Sequence, residues 1–235
     1  MKGTIFLIPT TLGNATIDKV LPLFNKNVIN ELDYFIVEEV RTARRFLKEM
    51  GYKKIFDEVT FFVLNEHTKH EEISDFLVPA EEGKSIGIIS ESGCPAVADP
   101  GASIVSLAHK KNIRVIPLIG PSSILLSLMA SGFNGQNFAF LGYLPVEKNS
   151  RIKKIKEIER DVYNKNQTQI FIETPYRNHN LLSDILSSCR NDTMLCIACD
   201  ITLSTEFIKT KTISEWKKSL PDINKRPAIF LLYKN

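Results

Sequence analysis

The chain has few cysteines, and their positions exclude a fold built on disulfides. Four cysteines among 235 residues are too few and too scattered to staple a chain of this size. Cys196 and Cys199 form a CxxC pair, but the surrounding segment MLCIACDITL is typical of an apolar strand, where residues three apart point to opposite faces. No second ligand pair lies at zinc-finger spacing. The sequence therefore predicts ordinary buried thiols and no metal site.

The chain also lacks long hydrophobic runs and a large excess of either charge. Its opening segment MKGTIFLIPT has too short an apolar run for a signal peptide, and no later run approaches the length of a membrane span. Thirty Lys and Arg against 27 Asp and Glu give a net charge of +3, which neither demands nor excludes a polyanionic partner. With 43% hydrophobic residues, the chain can bury a full core. We therefore predict a cytoplasmic enzyme or binding protein without membrane association.

Strand and helix patterns alternate along the first half of the chain. Nearly all-apolar strands are predicted near residues 5, 35, 61, 88 and 115, and helix patterns, including Thr16–Lys26 and 69–83, lie between them. Such alternation is typical of a parallel sheet covered on both faces. The pattern changes near Ile119, where we predict a domain boundary.

Three predicted strands end in loops of small residues: IPTTLGN, SESGCPAVADPG and LIGPSS. Ligands of parallel α/β sheets bind beyond the carboxyl ends of the strands, and Gly, Ser and Pro allow a backbone to approach a ligand closely. None of the loops is a GxGxxG or a GxxxxGK[ST]. A binding site is therefore predicted at these loops, without indication of a dinucleotide or of a phosphate loop.

Seven segments in order resemble one enzyme family. They are TTLGN at 10–14, EEVRTARRFL at 38–47, NEH at 65–67, SESGCPAVADPG at 90–101, IGPSS at 119–123, GYLP at 142–145 and ETPYR at 173–177. Together they resemble the tetrapyrrole methylase superfamily of S-adenosylmethionine (SAM) dependent methyltransferases, and within it the bacterial enzymes that 2'-O-methylate a cytidine of 16S ribosomal RNA. The resemblance implies two α/β domains, 1–118 with a parallel sheet and 119–235 with a mixed sheet. It also implies SAM in the cleft between them and a homodimer.

The resemblance assigns cofactor-binding roles to residues in both halves of the chain. In the first half these are Pro9, Gly93, Cys94, Val97, Ser122 and Ser123. In the second half they are Ile172, Ile201, Pro227 and Ala228. Cys94 stands where many relatives carry an aspartate, so we expect a backbone contact there in place of a side-chain one.

Two carboxylates are candidates for the general base that a ribose hydroxyl needs. Glu91 and Glu173 both follow predicted strands; each could instead be structural, capping a helix or pairing with an arginine such as Arg177. The segment VRTARR groups Arg41, Arg44 and Arg45 near one helix face, as a phosphate site or as a solvated surface. The resemblance places Asn14, Arg41, Arg44, Glu66 and His67 on the substrate side, and we prefer that role for His67 to metal binding with His70.

The sequence leaves three alternatives for the function of the chain. The ribosomal RNA enzymes usually carry Thr-Pro at Thr10-Thr11 and Asp at Glu91, and many extend beyond the last strand. The first hypothesis is methylation of a ribose in small-subunit ribosomal RNA, with that RNA or the subunit as partner. The second is methylation of a tetrapyrrole or another small molecule. The third, motivated by Cys94, is a catalytically inactive SAM-binding module.

Overall fold

The computed structural model describes residues 1–65, 68 and 72–234. The chain divides into two compact units, Met1–Ser122 and Ser123–Asn235. The division lies a few residues beyond the boundary expected near Ile119. Across the described residues, no helix is long and apolar enough to cross a membrane.

The first unit is built on a five-stranded, all-parallel sheet. Its strands are β1 (Thr4–Ile8), β2 (Tyr34–Val37), β3 (Thr60–Val63), β4 (Ile86–Ile89) and β5 (Arg114–Pro117), in the order β3-β2-β4-β1-β5. Its helices are α1 (Ile17–Val20), α2 (Leu23–Asn30), α3 (Val40–Glu49), α4 (Val78–Glu81) and α5 (Gly101–Lys110). The parallel sheet predicted from the apolar strands is confirmed.

Alternate residues of the strands face two separate cores. Phe35 and Ile8 pack on one side of the sheet with α2 and α3, whereas Ile5 and Ile36 pack on the other side with α5. A strand with both faces covered needs apolar residues at every position, which explains the unbroken hydrophobic run of β4.

Two helices predicted from the sequence are interrupted at prolines. The segment Thr16–Lys26 forms two helices because Pro22, which lacks an N–H, stands between α1 and α2. The described part of 69–83 is a 3₁₀ turn, Glu72–Leu77, followed by α4, with Pro79 in the first turn of α4. Proline is accepted there, where its missing donor would have no helical partner, but not inside a longer helix.

The second unit is built on a five-stranded mixed sheet. Its strands are β6 (Phe138–Tyr143), β7 (Thr168–Glu173), β8 (Met194–Cys199), β9 (Phe207–Thr212) and β10 (Ala228–Tyr233), in the order β6-β7-β10-β8-β9. Only the β6–β7 pair is parallel. The helices of this unit are α6 (Ser123–Ser131), α7 (Lys148–Lys165), α8 (Asn178–Ser188) and α9 (Ile213–Lys218). The mixed sheet implied by the resemblance is confirmed.

The two cysteines of the CxxC lie on opposite faces of β8. Cys196 packs with Leu128 of α6, whereas Cys199 packs in the core that includes Phe171 and Trp216. Burial raises the pKa of Cys196 to about 11 and that of Cys199 to about 12, so both remain thiols near neutral pH. The prediction of ordinary buried thiols is confirmed for this pair.

Candidate functional site

The structure brings together the three small-residue loops that the sequence singles out. They follow β4, β1 and β5, which are neighbours in the sheet, so their carboxyl ends meet at one edge. The N–H of Thr10 donates to the carbonyl of Gly93 over 2.9 Å, which joins the first loop to the second. The Cys94 thiol lies 3.5 Å from the carbonyl oxygen of Pro121, which joins the second loop to the third. The loops belong to the first unit, except that Ser123, the last residue of LIGPSS, is the first residue of the second unit.

Gly93 allows the loop after β4 to turn sharply. Its φ is +73°, and a Cβ there would lie 3.0 Å from the side chain of Leu12 and 3.1 Å from the carbonyl oxygen of Pro121. Its carbonyl also accepts a 2.7 Å hydrogen bond from the Ser90 hydroxyl. A residue without a side chain is therefore needed where this loop packs against its two neighbours.

Asp99, which sequence reasoning did not select, shapes the rest of the same loop. One of its carboxylate oxygens accepts from the backbone N–H of Ala96 over 3.1 Å and from that of Gly101, the first residue of α5, over 2.7 Å. Ala96 and Ala98 have positive φ angles of 66° and 55°, which are unfavourable for alanine. An aspartate before Pro-Gly at a helix start is a recognised cap and turn signal, and it could have identified this role.

The side chain of Cys94 is directed into the protein. Its sulfur lies between the carbonyl oxygens of Gly120 and Pro121, at 3.9 and 3.5 Å, and burial raises the pKa of the thiol. The thiol is therefore used in joining two loops, and the predicted contact of the Cys94 backbone with the cofactor stays a prediction. Val97, three residues later, is 52% exposed.

The loop after β5 exposes an apolar side chain on a fixed backbone. Ile119 is 76% exposed, while its carbonyl accepts a 2.9 Å hydrogen bond from the buried amide of Asn25. Pro9 is buried against Gly120, where a Cβ would lie 2.3 Å from the proline ring. Pro9 thus packs two loops together. Its predicted contact with the cofactor stays a prediction. The cofactor contacts predicted for the half-buried Ser122 and Ser123 also stay predictions.

The four cofactor residues predicted in the second unit lie at one end of its sheet. Ile172 of β7 pairs with Ile229 of β10, directly after Ala228. The carbonyl of Pro227 accepts a 3.0 Å hydrogen bond from the N–H of Asp200, beside Ile201. The structure therefore brings these four residues together within the unit, and their role toward a cofactor stays a prediction.

A polar pocket of about 350 Å³ lies beside the loops of the first unit. It is lined by residues after β1, on α3 and after β4, including Thr10, Asn14, Thr42, Arg45 and Glu91. Within the part of the chain that the structure describes, the buried Thr10 hydroxyl has no hydrogen-bond partner. An unsatisfied buried hydroxyl is costly, and Thr10 is one of the residues that line this pocket.

Glu91 lies in the wall of this pocket, where its carboxylate is held in place. The Thr42 hydroxyl donates to Glu91 Oε1 over 2.6 Å, which ties the loop after β4 to helix α3. Glu91 is exposed, and its second oxygen has room to accept another hydrogen bond. The arrangement suits a proton acceptor facing a ligand.

Glu38, another residue that sequence reasoning missed, stands beside Glu91. Burial, the charges of Asp99 and Glu91, and a hydrogen bond with Asp99 together raise the pKa of Glu38. Glu38 directly follows β2, the neighbour of β4 in the sheet. A carboxylate at a strand end is the signal that selected Glu91, and it applies equally to Glu38.

Glu173 forms the ion pair that was the structural alternative for it. Its Oε1 accepts from the Nε and Nη2 of Arg177 over 2.9 and 2.6 Å, and from the N–H of Thr174 over 2.6 Å. Its side chain has no exposed surface. These contacts explain Glu173 as an anchor of the turn after β7, and they favour Glu91 as the proton acceptor.

The three arginines of α3 have different surroundings. The guanidinium of Arg44 lies over the rings of Phe56 and Phe61, 5.6 and 5.4 Å from their centres, whereas Arg45 lines the polar pocket. Arg41 is exposed. The geometry therefore favours Arg45 over Arg44 as the pocket cation. Glu66 and His67, also predicted on the substrate side, lie outside the described residues.

Comparison with known proteins gives similarities over most of this chain. The chain is 27% identical to the ribosomal RNA small subunit methyltransferase I of Escherichia coli O157:H7, over 98% of this chain and 77% of that protein. It is 27% identical to the protein of the same name from Haemophilus influenzae, over 99% of this chain and 79% of the relative. It is 29% identical to the protein of the same name from Streptococcus pyogenes serotype M6, over 91% of this chain and 70% of that protein. No protein-family model matches the chain.

Solved structures share the fold at low sequence identity. The methyltransferase CobJ superimposes with a TM-score of 0.64 and 13% identity, covering 99% of this chain and 94% of that one. Uroporphyrin-III-C-methyltransferase from Thermus thermophilus superimposes with a TM-score of 0.56 and 15% identity, covering 100% of this chain and 93% of that one. The predicted resemblance, the fold of two α/β parts of the tetrapyrrole methylase type, and the class of enzyme, a methyltransferase, are confirmed.

Proposed function

We infer that this chain belongs with the small-subunit ribosomal RNA methyltransferases, and on that premise we propose that it transfers a methyl group from SAM to a ribose 2'-hydroxyl of small-subunit ribosomal RNA. The observation that carries the proposal is the polar pocket beside the three loops, with the Thr42-held Glu91 in its wall. The similarity to named ribosomal RNA methyltransferases over nearly the whole chain supports the choice of substrate.

The loops of the first unit fit an adenosyl cofactor. Val97 and Ile119 present exposed apolar side chains on two loops whose backbones are fixed by the contacts of Asp99 and Asn25. Cys94 keeps its side chain inside and leaves its backbone for a ligand. In this proposal, Val97, Ser122 and the backbone around Cys94 contact SAM from the loops of the first unit. The contacts predicted for Ile172, Ile201, Pro227 and Ala228 with the cofactor belong to the same proposal.

The residues of the pocket then have separate tasks. Bound SAM supplies a methyl group that is already activated as part of a sulfonium, so the chain has to align the acceptor hydroxyl and take its proton. Glu91 accepts that proton, and Thr42 keeps the carboxylate in place. Thr10, Arg45 and Asn14 line the pocket where polar groups of the nucleotide lie.

The proposal also includes the cytoplasmic location and the homodimer expected from the sequence. Ribosomal subunits are cytoplasmic in bacteria, so the proposed substrate places the chain there. The resemblance further supports a homodimer, which sedimentation of the purified chain tests directly. A monomer that still methylates its substrate would remove the dimer from the proposal and leave the activity.

Cofactor binding is tested by calorimetry with S-adenosylhomocysteine, the demethylated product. We expect one saturable site on the wild type and a large loss of affinity in Val97→Asp, which puts a charge on an exposed apolar contact. Val146→Asp is the matched control, since Val146 is 64% exposed on the second unit, outside the proposed site. Equal affinity of Val97→Asp and wild type would remove this loop from the cofactor site.

The acceptor is tested by transfer of labelled methyl groups to small ribosomal subunits that lack the modification. We expect incorporation into the RNA, with the label on a ribose after nuclease digestion. Transfer to a tetrapyrrole precursor and not to subunits would support the second hypothesis, the small-molecule acceptor. Tight cofactor binding without transfer to any cellular fraction would support the inactive module.

A further inference from the structure

The turn that follows β7 presents an aromatic ring to solvent. Pro175–Arg177 forms one 3₁₀ turn between β7 and α8, and its central residue, Tyr176, is 78% exposed. A tyrosine buries a large apolar area when it has a partner, so this ring is free to contact one. The cofactor and pocket residues of the proposed function do not include it.

The arginine next to this ring is held in a fixed orientation. Its Nε and Nη2 donate to the fully buried Glu173 carboxylate, while Nη1 takes no part in that pair. The Arg177 side chain keeps 33% of its surface exposed. A guanidinium anchored on one edge and open on the other loses little conformational freedom when it binds an anion.

A second cation is attached to the same turn. The N–H of Lys225 donates to the carbonyl of Pro175 over 3.2 Å, and Lys225 itself is exposed. The buried Asn178 amide also donates to the carbonyl of Arg226 over 2.6 Å, which ties the segment before β10 to the start of α8. The ring, the guanidinium and the ammonium therefore lie on two backbone segments joined by hydrogen bonds.

Of the acidic groups in the same region, Asp200 is buried and paired internally, whereas Asp222 is exposed. Asp200 pairs with Arg226 and accepts from the hydroxyl of Thr205, and Asp222 accepts from the N–H of Asn224. The segment that contains Asp222 and Lys225 directly precedes Pro227 and Ala228. These two residues lie at the end of the sheet where the predicted cofactor residues of this unit lie. An anionic partner would meet the exposed cations without first displacing an internal pair.

We propose that Tyr176, Arg177 and Lys225 form a platform that binds single-stranded RNA, with the ring stacked on a base and the two cations on the adjoining phosphates. An aromatic face combined with cations is the usual means of holding a single strand without reading its sequence. The inference rests on the proposed function, because it names a surface of the second unit that holds the RNA substrate.

Binding of a short fluorescein-labelled single-stranded RNA, followed by anisotropy, tests the platform. We expect Tyr176→Ala to weaken binding at least about fivefold, and Tyr176→Phe, which keeps the stacking face, to stay within about twofold of wild type. Phe24→Ala is the matched control, because Phe24 is 63% exposed on the first unit. Lys225→Gln should lower the slope of log affinity against log salt by about one, as expected for one lost phosphate contact.

The outcomes separate this platform from the proposed function. Unchanged RNA affinity in Tyr176→Ala, or an equal loss in Tyr176→Phe, would overturn the platform even where methyl transfer by the wild type stands. Affinity for whole subunits lost without any change toward naked RNA would also overturn it, because the surface would then bind a ribosomal protein. RNA binding with the expected pattern in a chain that transfers no methyl group would keep the platform and refute the activity. Calorimetry with S-adenosylhomocysteine on each variant confirms that the fold is intact.

Discussion

Replacing Arg177 by methionine tests whether Glu173 is structural. The change removes both bonds from Nε and Nη2 to Glu173 Oε1 and leaves a carboxylate with no exposed surface, held only by the N–H of Thr174. In the described part of the chain its other oxygen, Oε2, already lacks a partner. Breaking a buried pair from one side costs about 3–5 kcal/mol. We expect the lower end, about 3 kcal/mol, because the arginine is partly exposed.

The measurement is urea unfolding followed by the fluorescence of Trp216, which is buried in the second unit. The double variant Glu173→Leu/Arg177→Met should recover most of the loss, because an apolar pair no longer requires a counter-ion. Lys165→Met, which breaks the exposed pair with Asp161, is the control and should cost little or nothing. A loss in Arg177→Met as small as in that control would refute the assignment of Glu173 as a buried anchor.

Three further predictions concern the first unit. Glu91→Gln should lower kcat for methyl transfer about 100- to 10,000-fold and leave the affinity for S-adenosylhomocysteine unchanged; normal turnover would exclude Glu91 as the base. Because the pKa of Glu38 is raised in the folded chain, the folded state loses stability as pH rises from the ordinary carboxyl range through that raised value. Glu38→Gln should therefore unfold at a higher temperature than wild type at about pH 8 and lose this advantage in acid; the same difference at both pH values would contradict this. Gly93→Ala should cost at least about 1–2 kcal/mol in thermal unfolding, because φ is +73° and the new Cβ meets Leu12 and Pro121.

The fold could be predicted because its signals are local and repeated. The central strand β4 is buried along its whole length, so it appears in the sequence as a short run without polar side chains at Ile86–Ile89. Helix ends were less predictable where proline interrupts a pattern, as at Pro22, since hydrophobic periodicity alone does not register a missing N–H.

The site was predictable only in part. Loops rich in small residues were recognisable in the sequence, and the structure brings them together through contacts such as Thr10 to Gly93. Glu38 and Asp99 each carry a local signal that could have identified them, but their pairing depends on β2 and β4 being neighbours in the sheet. The spacing of Arg44 and Arg45 gave no indication that one covers aromatic rings while the other lines a pocket.

The sequence alone determined the alternation of strands and helices, the positions of the binding loops and the likeness to a family of methyltransferases. These features depend on residue type and order, which local sterics and burial translate directly into structure. The tertiary structure decided which side chains serve each other: Cys94 between two carbonyls, Thr42 on Glu91, and Arg177 on Glu173. Such partners are distant in sequence or directed by packing, and only the folded chain fixes the distances that make a carboxylate an anchor or a base.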